Sequence, residues 1–193
     1  LTAEATGSAK LLGSSAQQQF TRVVGDASGF VPLTRSVTLA GHLRVGAVFS
    51  PKSDFSTGSG NFVPPEQRFY AGGPNDVRGY DRNELGPVVY VVPADSVRAD
   101  DTFPASEARI SATGGSRVVV ANLELRLPSP IFSPRMRFAV FTDVGALWDQ
   151  DGTARWRMTP GVGLRFASPL GPIRLDVGRN KYQLESGTVY TTT

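Results

Sequence analysis

The side chains that most often carry out covalent or metal chemistry are scarce in this sequence. Its 193 residues include no cysteine and one histidine, His42, which excludes thiol catalysis, disulfides and multi-histidine metal sites. The run at 149–152 is similar to the start of a calcium loop, but it is too short and lacks the closing glutamate. The carboxylates Glu66, Asp76 and Asp81 have no partner at general acid–base spacing. The sequence therefore predicts no enzyme activity, no metal and no other cofactor.

A different chemistry is indicated by the run at 68–80, which reads Arg-Phe-Tyr-Ala-Gly-Gly-Pro-Asn-Asp-Val-Arg-Gly-Tyr. Gly72, Gly73 and Gly79 permit the positive φ angles and the close packing of a tight loop tip. This tip presents Arg78, whose planar guanidinium can donate several charge-assisted hydrogen bonds at once. The run predicts a loop that is anchored through an arginine.

Strands are the elements that must position this loop, because apolar and polar residues alternate with period two over long segments. The alternation is clearest at 155–167, where Trp156, Met158, Val162 and Phe166 share one face. The segments with this pattern are 36–48, 117–127, 136–148, 155–167 and 172–180, and 18–30 less cleanly. Successive strand side chains point to opposite faces, so each segment has one apolar and one polar face.

The length of these segments favours a membrane. They run for about 9–13 residues, as tilted membrane-spanning strands do, whereas soluble strands average about 5–6 residues. A half-buried soluble sheet would also alternate, but the polar faces here carry Arg, Asp and Glu with many Gly, as a crowded, wet lumen would. The net charge is +3, from 20 basic and 17 acidic residues, which is too balanced to argue for nucleic acid.

The connections between the segments are unequal. The turns Pro128–Pro134, Asp149–Ala154 and Ser168–Gly171 are short, whereas residues 50–116 form a long excursion rich in Pro, Gly, Ser and Asp. Outer-membrane barrels combine short turns on one side with long loops on the other. The sequence also places Trp148, Trp156, Tyr182 and Tyr190 near strand ends, where aromatic girdles lie.

These observations predict an all-β fold, an antiparallel transmembrane β-barrel. We count roughly seven strands, the first at about 1–12. Such a sheet leaves two open edges, which lipid does not tolerate. We therefore expect residues 1–193 to be the C-terminal portion of one barrel domain that is incomplete by itself, with a solvated, partly disordered loop extension at 94–116.

The run at 68–80 resembles the signature of the outer-membrane protein assembly factor superfamily, the BamA/TamA-like surface antigen barrels. That signature has an aromatic residue, a Gly-Gly pair and then Val-Arg-Gly followed by Phe or Tyr; Asn75-Asp76 is a mild departure from it. Three further segments resemble the family in order and spacing, and the resemblance covers about 18–180: Asn122–Pro128, Phe141–Trp148 and Gly161–Asp176.

The resemblance implies that the loop folds back into the lumen, where its arginine pairs with acidic residues on the inner wall. The matching positions are Arg78, Glu124 and Asp143, and the alternation separately places both carboxylates on polar faces of neighbouring strands. A simpler interpretation is that Arg78 only anchors the loop. The expected loop-lock motif consists of Arg78, Gly79, Tyr80, Gly72, Gly73, Glu124 and Asp143.

The resemblance further implies a protein of the bacterial outer membrane that inserts or translocates other outer-membrane proteins. Its implied partners are the outer-membrane lipid bilayer and unfolded outer-membrane protein clients, and it leaves room for periplasmic POTRA modules of the same chain and for accessory assembly proteins. The implied mechanism is substrate templating at a weak lateral seam. Three alternatives remain open: a two-partner-secretion translocation pore, the membrane-anchor barrel of a patatin-like phospholipase fusion, and a plain porin.

Overall fold

A seven-stranded antiparallel sheet dominates the structure. This computed structural model describes residues 1–8, 19–55, 58–61, 63–98, 103–104, 106–129, 136–169, 171–182 and 187–192. The strands of the main sheet are β1 Thr2–Ser8, β2 Phe20–Pro32, β3 Thr38–Phe49, β8 Arg117–Pro128, β9 Met136–Trp148, β10 Arg157–Ser168 and β11 Gly171–Gly178. They pair in the order β1-β2-β3-β8-β9-β10-β11. Among the described residues, β1 and β11 each pair with one strand, so the sheet is open.

The excursion between β3 and β8 contains short strands of its own. Its strands are β4 Lys52–Phe55, β5 Gly58–Asn61, β6 Val88–Pro93 and β7 Arg109–Ala112, with 3₁₀ turns at Pro65–Gln67 and Ala94–Ser96. The last strand, β12 (Val189–Thr192), pairs parallel with β6 and completes a three-stranded sheet. Within the predicted solvated, partly disordered extension at 94–116, the structure contains one short strand, β7, which pairs with β6.

The two ends of the main sheet differ. Leu33 and Thr34 bond back to the Val37 carbonyl in the tight connection between β2 and β3, and we call this side the short-turn end. The excursion from β3 to β8 leaves the opposite side, the long-loop end. The predicted turns Pro128–Pro134 and Ser168–Gly171 lie partly outside the described residues, as does the 9–12 stretch of the first predicted strand. No helix in the described part of the chain is long and apolar enough to cross a membrane.

One face of the sheet is an apolar belt open to the surroundings. Its large side chains are between 44% and 63% exposed: Val23, Leu43, Val45, Leu123, Val140, Val162 and Leu175. A belt of this extent across neighbouring strands is unfavourable in water and suits contact with lipid tails. The predicted antiparallel sheet of long amphipathic strands is confirmed.

The other face, here called the inner face, packs against the excursion. Near the long-loop end this contact is apolar: Val48, Val118, Val120 and Leu147 of the wall meet Val63, Phe69, Ala71, Val77 and Leu85 of the loop. Nine side chains thus form a core with little exposure. In this half of the inner face, the loop fills the space beside the wall.

Candidate functional site

Arg78 reaches the centre of the inner face from the loop. Its Nε donates to Asp143 Oδ2 at 2.7 Å and its Nη2 donates to Asp143 Oδ1 at 2.8 Å, which makes a bidentate pair. Its Nη1 donates to Glu124 Oε2 at 2.8 Å. Arg78 is 5% exposed, Glu124 7% and Asp143 0%. Two fixed, planar hydrogen bonds to one carboxylate set the orientation of the guanidinium as well as its position.

Asp143 also holds the loop backbone. Its Oδ2 accepts the Arg78 backbone N–H at 3.0 Å. Next to it on β9, the ring of Phe141 lies under the guanidinium carbon of Arg78, 3.4 Å from the ring centroid. A cation over an aromatic face is stabilised most when both are removed from water. The loop tip is therefore fixed by a backbone hydrogen bond, by the ion pairs of Arg78 and by the stacking of its guanidinium on Phe141.

The surroundings keep Arg78 charged. Burial by itself lowers the pKa of the guanidinium, but the hydrogen bonds that it donates to Asp143 and Glu124 outweigh burial and raise the pKa above the ordinary arginine value. A protonated guanidinium is what the carboxylates require, since removing one partner leaves the other charges buried and uncompensated.

The structure adds four residues that the motif did not indicate. Asp176 on β11 accepts from Arg78 Nη1 at 3.2 Å. Arg165 on β10 bridges Glu124 and Asp176, Arg126 pairs with Glu124 at 2.9 Å, and Arg174 pairs with Asp176. We call the full set the wall cluster: Arg78, Arg126, Arg165, Arg174, Glu124, Asp143 and Asp176.

A signal for these residues was present in the alternation. The polar face of 155–167 carries Arg165, and the polar face of 172–180 carries Arg174 and Asp176. Register was the missing information, because only the pairing of β10 with β9 and β11 brings these faces to the level of Glu124.

The predicted glycines have the conformations that the loop tip needs. Gly72, Gly73 and Gly79 have φ angles of 103°, 108° and 97°, in the left-handed region where a side chain is strained. Tyr80 is half-buried and packs against the apolar core of the loop. Of the seven residues predicted for the motif, Arg78, Glu124 and Asp143 are in direct contact, and the other four belong to the loop that carries Arg78.

Glycines in the wall make the groove in which the loop lies. A methyl group added at Gly46 of β3 would collide with the Phe69 ring, and one at Gly145 of β9 would collide with Val77 and Leu85. The loop therefore occupies space that larger wall side chains would fill.

Gly178, the last residue of β11, lies directly against the backbone of the loop tip. An added Cβ there would lie 3.0 Å from the Arg78 carbonyl carbon and oxygen and 3.1 Å from the Gly79 nitrogen. Main chain meets main chain at this point, so no flexible side-chain end can move aside.

A second polar network joins the loop to β3 and β8. Arg44 Nη2 donates to Asp76 Oδ2 at 3.1 Å and to the Tyr70 carbonyl at 3.0 Å. Asn122 Nδ2 donates to the Asp76 carbonyl. Burial raises the pKa of the Asp76 carboxyl more than the nearby Arg44 lowers it. This network therefore fixes the part of the loop that precedes Arg78 in sequence.

The remaining polar candidates have structural surroundings. His42 lies between Asn122 Oδ1 at 2.8 Å and Asp26 Oδ2 at 3.0 Å, whereas Glu66 and Asp81 are exposed. Within the described ranges, no group of three or more His, Cys, Asp or Glu side chains could hold a metal ion.

Comparison with known proteins gives a family match. The Omp85 superfamily domain matches residues 2–188. The outer membrane protein assembly factor BamA of Nitratidesulfovibrio vulgaris is 29% identical over 85% of this chain and 19% of its own length. BamA of Neorickettsia risticii is 27% identical over 88% of this chain and 21% of its own length. This chain spans about a fifth of the length of these relatives.

A solved structure gives the same fold. The crystal structure of BamA from Haemophilus ducreyi lacking POTRA domains 1–3 matches with a TM-score of 0.63 and 24% identity. The match covers 85% of this chain and 32% of that one. At this identity the likeness concerns the fold: the seven-stranded sheet is part of a β-barrel.

Proposed function

Because this chain belongs to the Omp85 superfamily, a family of the bacterial outer membrane, we propose that it is the C-terminal part of a barrel that assembles outer-membrane proteins. Its clients are unfolded β-barrel chains, and the lipid bilayer contacts the apolar belt. The curated relatives carry the name of assembly factors, which supports this function.

The observation that carries the proposal is the buried Arg78 bonded to Glu124 and Asp143. We call these contacts the loop lock. A buried charged cluster stabilises a fold less than hydrophobic packing of equal volume would. Its presence is better explained by a need to hold the loop in one defined arrangement.

The loop lock supports assembly by fixing the shape of the lumen wall. Arg78 connects β8, β9 and β11 through Glu124, Asp143 and Asp176. A wall braced in this way keeps its strands in register while strands elsewhere in the barrel separate. A barrel that opens at one seam to template an incoming strand needs a weak seam and a rigid wall, and the loop lock would supply the rigid wall.

The proposed reaction is strand pairing in a membrane, in which backbone hydrogen bonds form and no covalent bond is made or broken. An exposed strand edge offers backbone N–H and C=O groups to an incoming chain, which adds as a further strand.

The test is the folding rate of an unfolded eight-stranded client barrel in liposomes that contain the full-length protein. We expect the wild type to accelerate folding and Arg78→Ala to lose most of the acceleration. Arg82→Ala is the matched control, because Arg82 is an exposed arginine of the same loop. Wild-type liposomes that fold the client no faster than empty ones would refute the proposed function, and export of a passenger by such a protein would favour a secretion pore.

A further inference from the structure

Three arginines lie side by side on the inner face near the short-turn end. Arg137 of β9 is directly opposite Arg165 of β10, and Arg165 is directly opposite Arg174 of β11. Residues opposite one another share a face and have Cβ atoms about 5 Å apart, so like charges in these positions repel. We call these three residues the arginine row.

The nearby carboxylates do not balance the row. Glu124 and Asp176 neutralise Arg165 and Arg174 in part, but both also bind Arg78, and Glu124 binds Arg126 as well. The wall cluster therefore has four arginines for three carboxylates. Arg137 adds a further cation, and it has no ion-pair partner among the residues the structure describes.

A cavity adjoins this surplus of positive charge. It measures about 280 Å³, lies beneath the loop tip and is open on one side. Arg78, Arg126 and Arg174 line it together with apolar surface from Phe30, Ala40 and Pro74. Two carboxylates, Asp76 and Glu124, line it as well, and both already pair with arginines. The side chains of Arg126 and Arg174 are 35% and 42% exposed, so each is accessible from the inner face.

We propose that the arginine row and this cavity bind acidic segments of polypeptides that enter the barrel at the short-turn end. The inference rests on the proposed function, since it specifies a preferred client sequence. A glutamate side chain fits the site, because its carboxylate can pair with a guanidinium while its methylene stem lies against Phe30 and Pro74. The inner face is separated from lipid by the wall, so a peptide reaches the row where a headgroup does not.

Arg137 gives the sharpest test because its charge can be removed without breaking an ion pair between the residues that the structure describes. The matched control is Arg117→Gln on β8. Arg117 lies at the long-loop end, and its neighbour Val118 points into the apolar core, so Arg117 is on the outer face. The two substitutions remove the same charge from opposite ends and faces of the wall.

The measurement is the dissociation constant of a fluorescent glutamate-rich peptide for the full-length protein in neutral detergent micelles, with a lysine-rich peptide of equal length for comparison. We expect the acidic peptide to bind more tightly and to weaken as salt screens the charges. Arg137→Gln weakens binding by up to about fivefold, the range of a partly exposed ion pair. Arg137→Lys restores most of the affinity, and Arg117→Gln leaves it unchanged.

Equal binding of the two peptides, or equal loss in Arg137→Gln and Arg117→Gln, would overturn the inference. So would Arg137-dependent binding of anionic phospholipid vesicles in place of the peptide. The client-folding assay separates the two proposals. A wild-type protein that accelerates folding but ignores peptide charge contradicts only the acidic-segment site, whereas one that binds the acidic peptide without accelerating folding contradicts only the assembly function.

Discussion

Arg78 has almost no contact with solvent, yet it carries a full charge in the interior of the wall. Three carboxylates and the Phe141 ring replace the water it has lost. Removal of the cation would be costly, because the fully buried Asp143 carboxylate would lose the guanidinium that it pairs with.

Arg78→Ala is therefore expected to lower the free energy of unfolding by about 3–5 kcal/mol, the usual range when one partner of a buried ion pair is removed. The measurement is a urea titration of the protein in liposomes, supported by the heat-modifiable shift of a folded barrel on a gel. Arg82→Ala should match the wild type. If Arg78→Ala also matched the wild type in stability and in client folding, the loop lock would have no role.

The raised pKa of Arg78 determines how its contribution to stability depends on pH. A group whose folded pKa lies above its unfolded value contributes its full stability below the unfolded pKa and loses it only as pH rises through the folded one. For an arginine both values lie beyond the alkaline range of ordinary experiments. The stability difference between wild type and Arg78→Ala should thus be constant from about pH 6 to about pH 10, as unfolding at a series of pH values will show. A difference that shrank toward pH 10 would contradict this assignment.

The sequence predicts which side chains lie on polar strand faces more readily than which of them contact one another. The alternation placed Glu124 and Asp143 on polar faces, and the structure brings both to Arg78. Asp176 and Arg165 could not be assigned to the same site from sequence, because their meeting depends on the register of three strands and on a contact across 98 residues of chain. No local pattern encodes a distance of that kind.

At the level of elements, the loop and the wall fit through backbone contact at β11. Gly178→Ala would add a methyl group 3.0 Å from the Arg78 carbonyl, so either the tip or the strand must shift. We expect a loss of about 1–3 kcal/mol in unfolding free energy, as for other overpacked sites, together with faster proteolysis of the loop.

The control for this substitution is Gly41→Ala on β3. No atom lies within 4 Å of an added Cβ at Gly41, and alanine restricts the unfolded chain more than glycine does, so stability should stay equal or rise slightly. Equal losses of unfolding free energy at both positions would show that the strands are destabilised by any added methyl group. The contact between Gly178 and the loop tip would then have no particular role.

The long strands were predictable because their period is local and repeats over many residues. The short strands β4 to β7 and β12 were not. Four to six residues give too few repeats for a period to be recognised, and the parallel pairing of β12 with β6 joins segments far apart in sequence. These elements exist because partners satisfy their backbone groups.

At the level of the whole molecule, the apolar belt faces lipid and the wall cluster does not. Val140→Arg, near the middle of β9, should destabilise the barrel by about 2–4 kcal/mol, as arginine does at the midplane of other outer-membrane barrels. Ala94→Arg, in the exposed part of the loop, is the control. Urea titration in liposomes measures both, and an equally small effect at the two positions would place Val140 outside the membrane core.

The overall architecture followed from sequence for a physical reason. Lipid leaves few ways to satisfy a backbone, so long alternating strands with one apolar face point to a barrel wall. The filling of the lumen was harder to anticipate. The glycines of the polar faces leave a groove, and what occupies a groove is set by shape complementarity between distant segments.

The loop precedes in sequence every strand that holds its tip. Arg78 is made 46 residues before Glu124, 65 before Asp143 and 98 before Asp176. Arg78 is therefore synthesised before all three carboxylates, and its guanidinium remains hydrated until they have folded against it. The loop tip has all of its carboxylate partners only once β11 has joined the sheet, and a truncated product that ends before β11 would lack Asp176 and leave the tip more accessible to proteases.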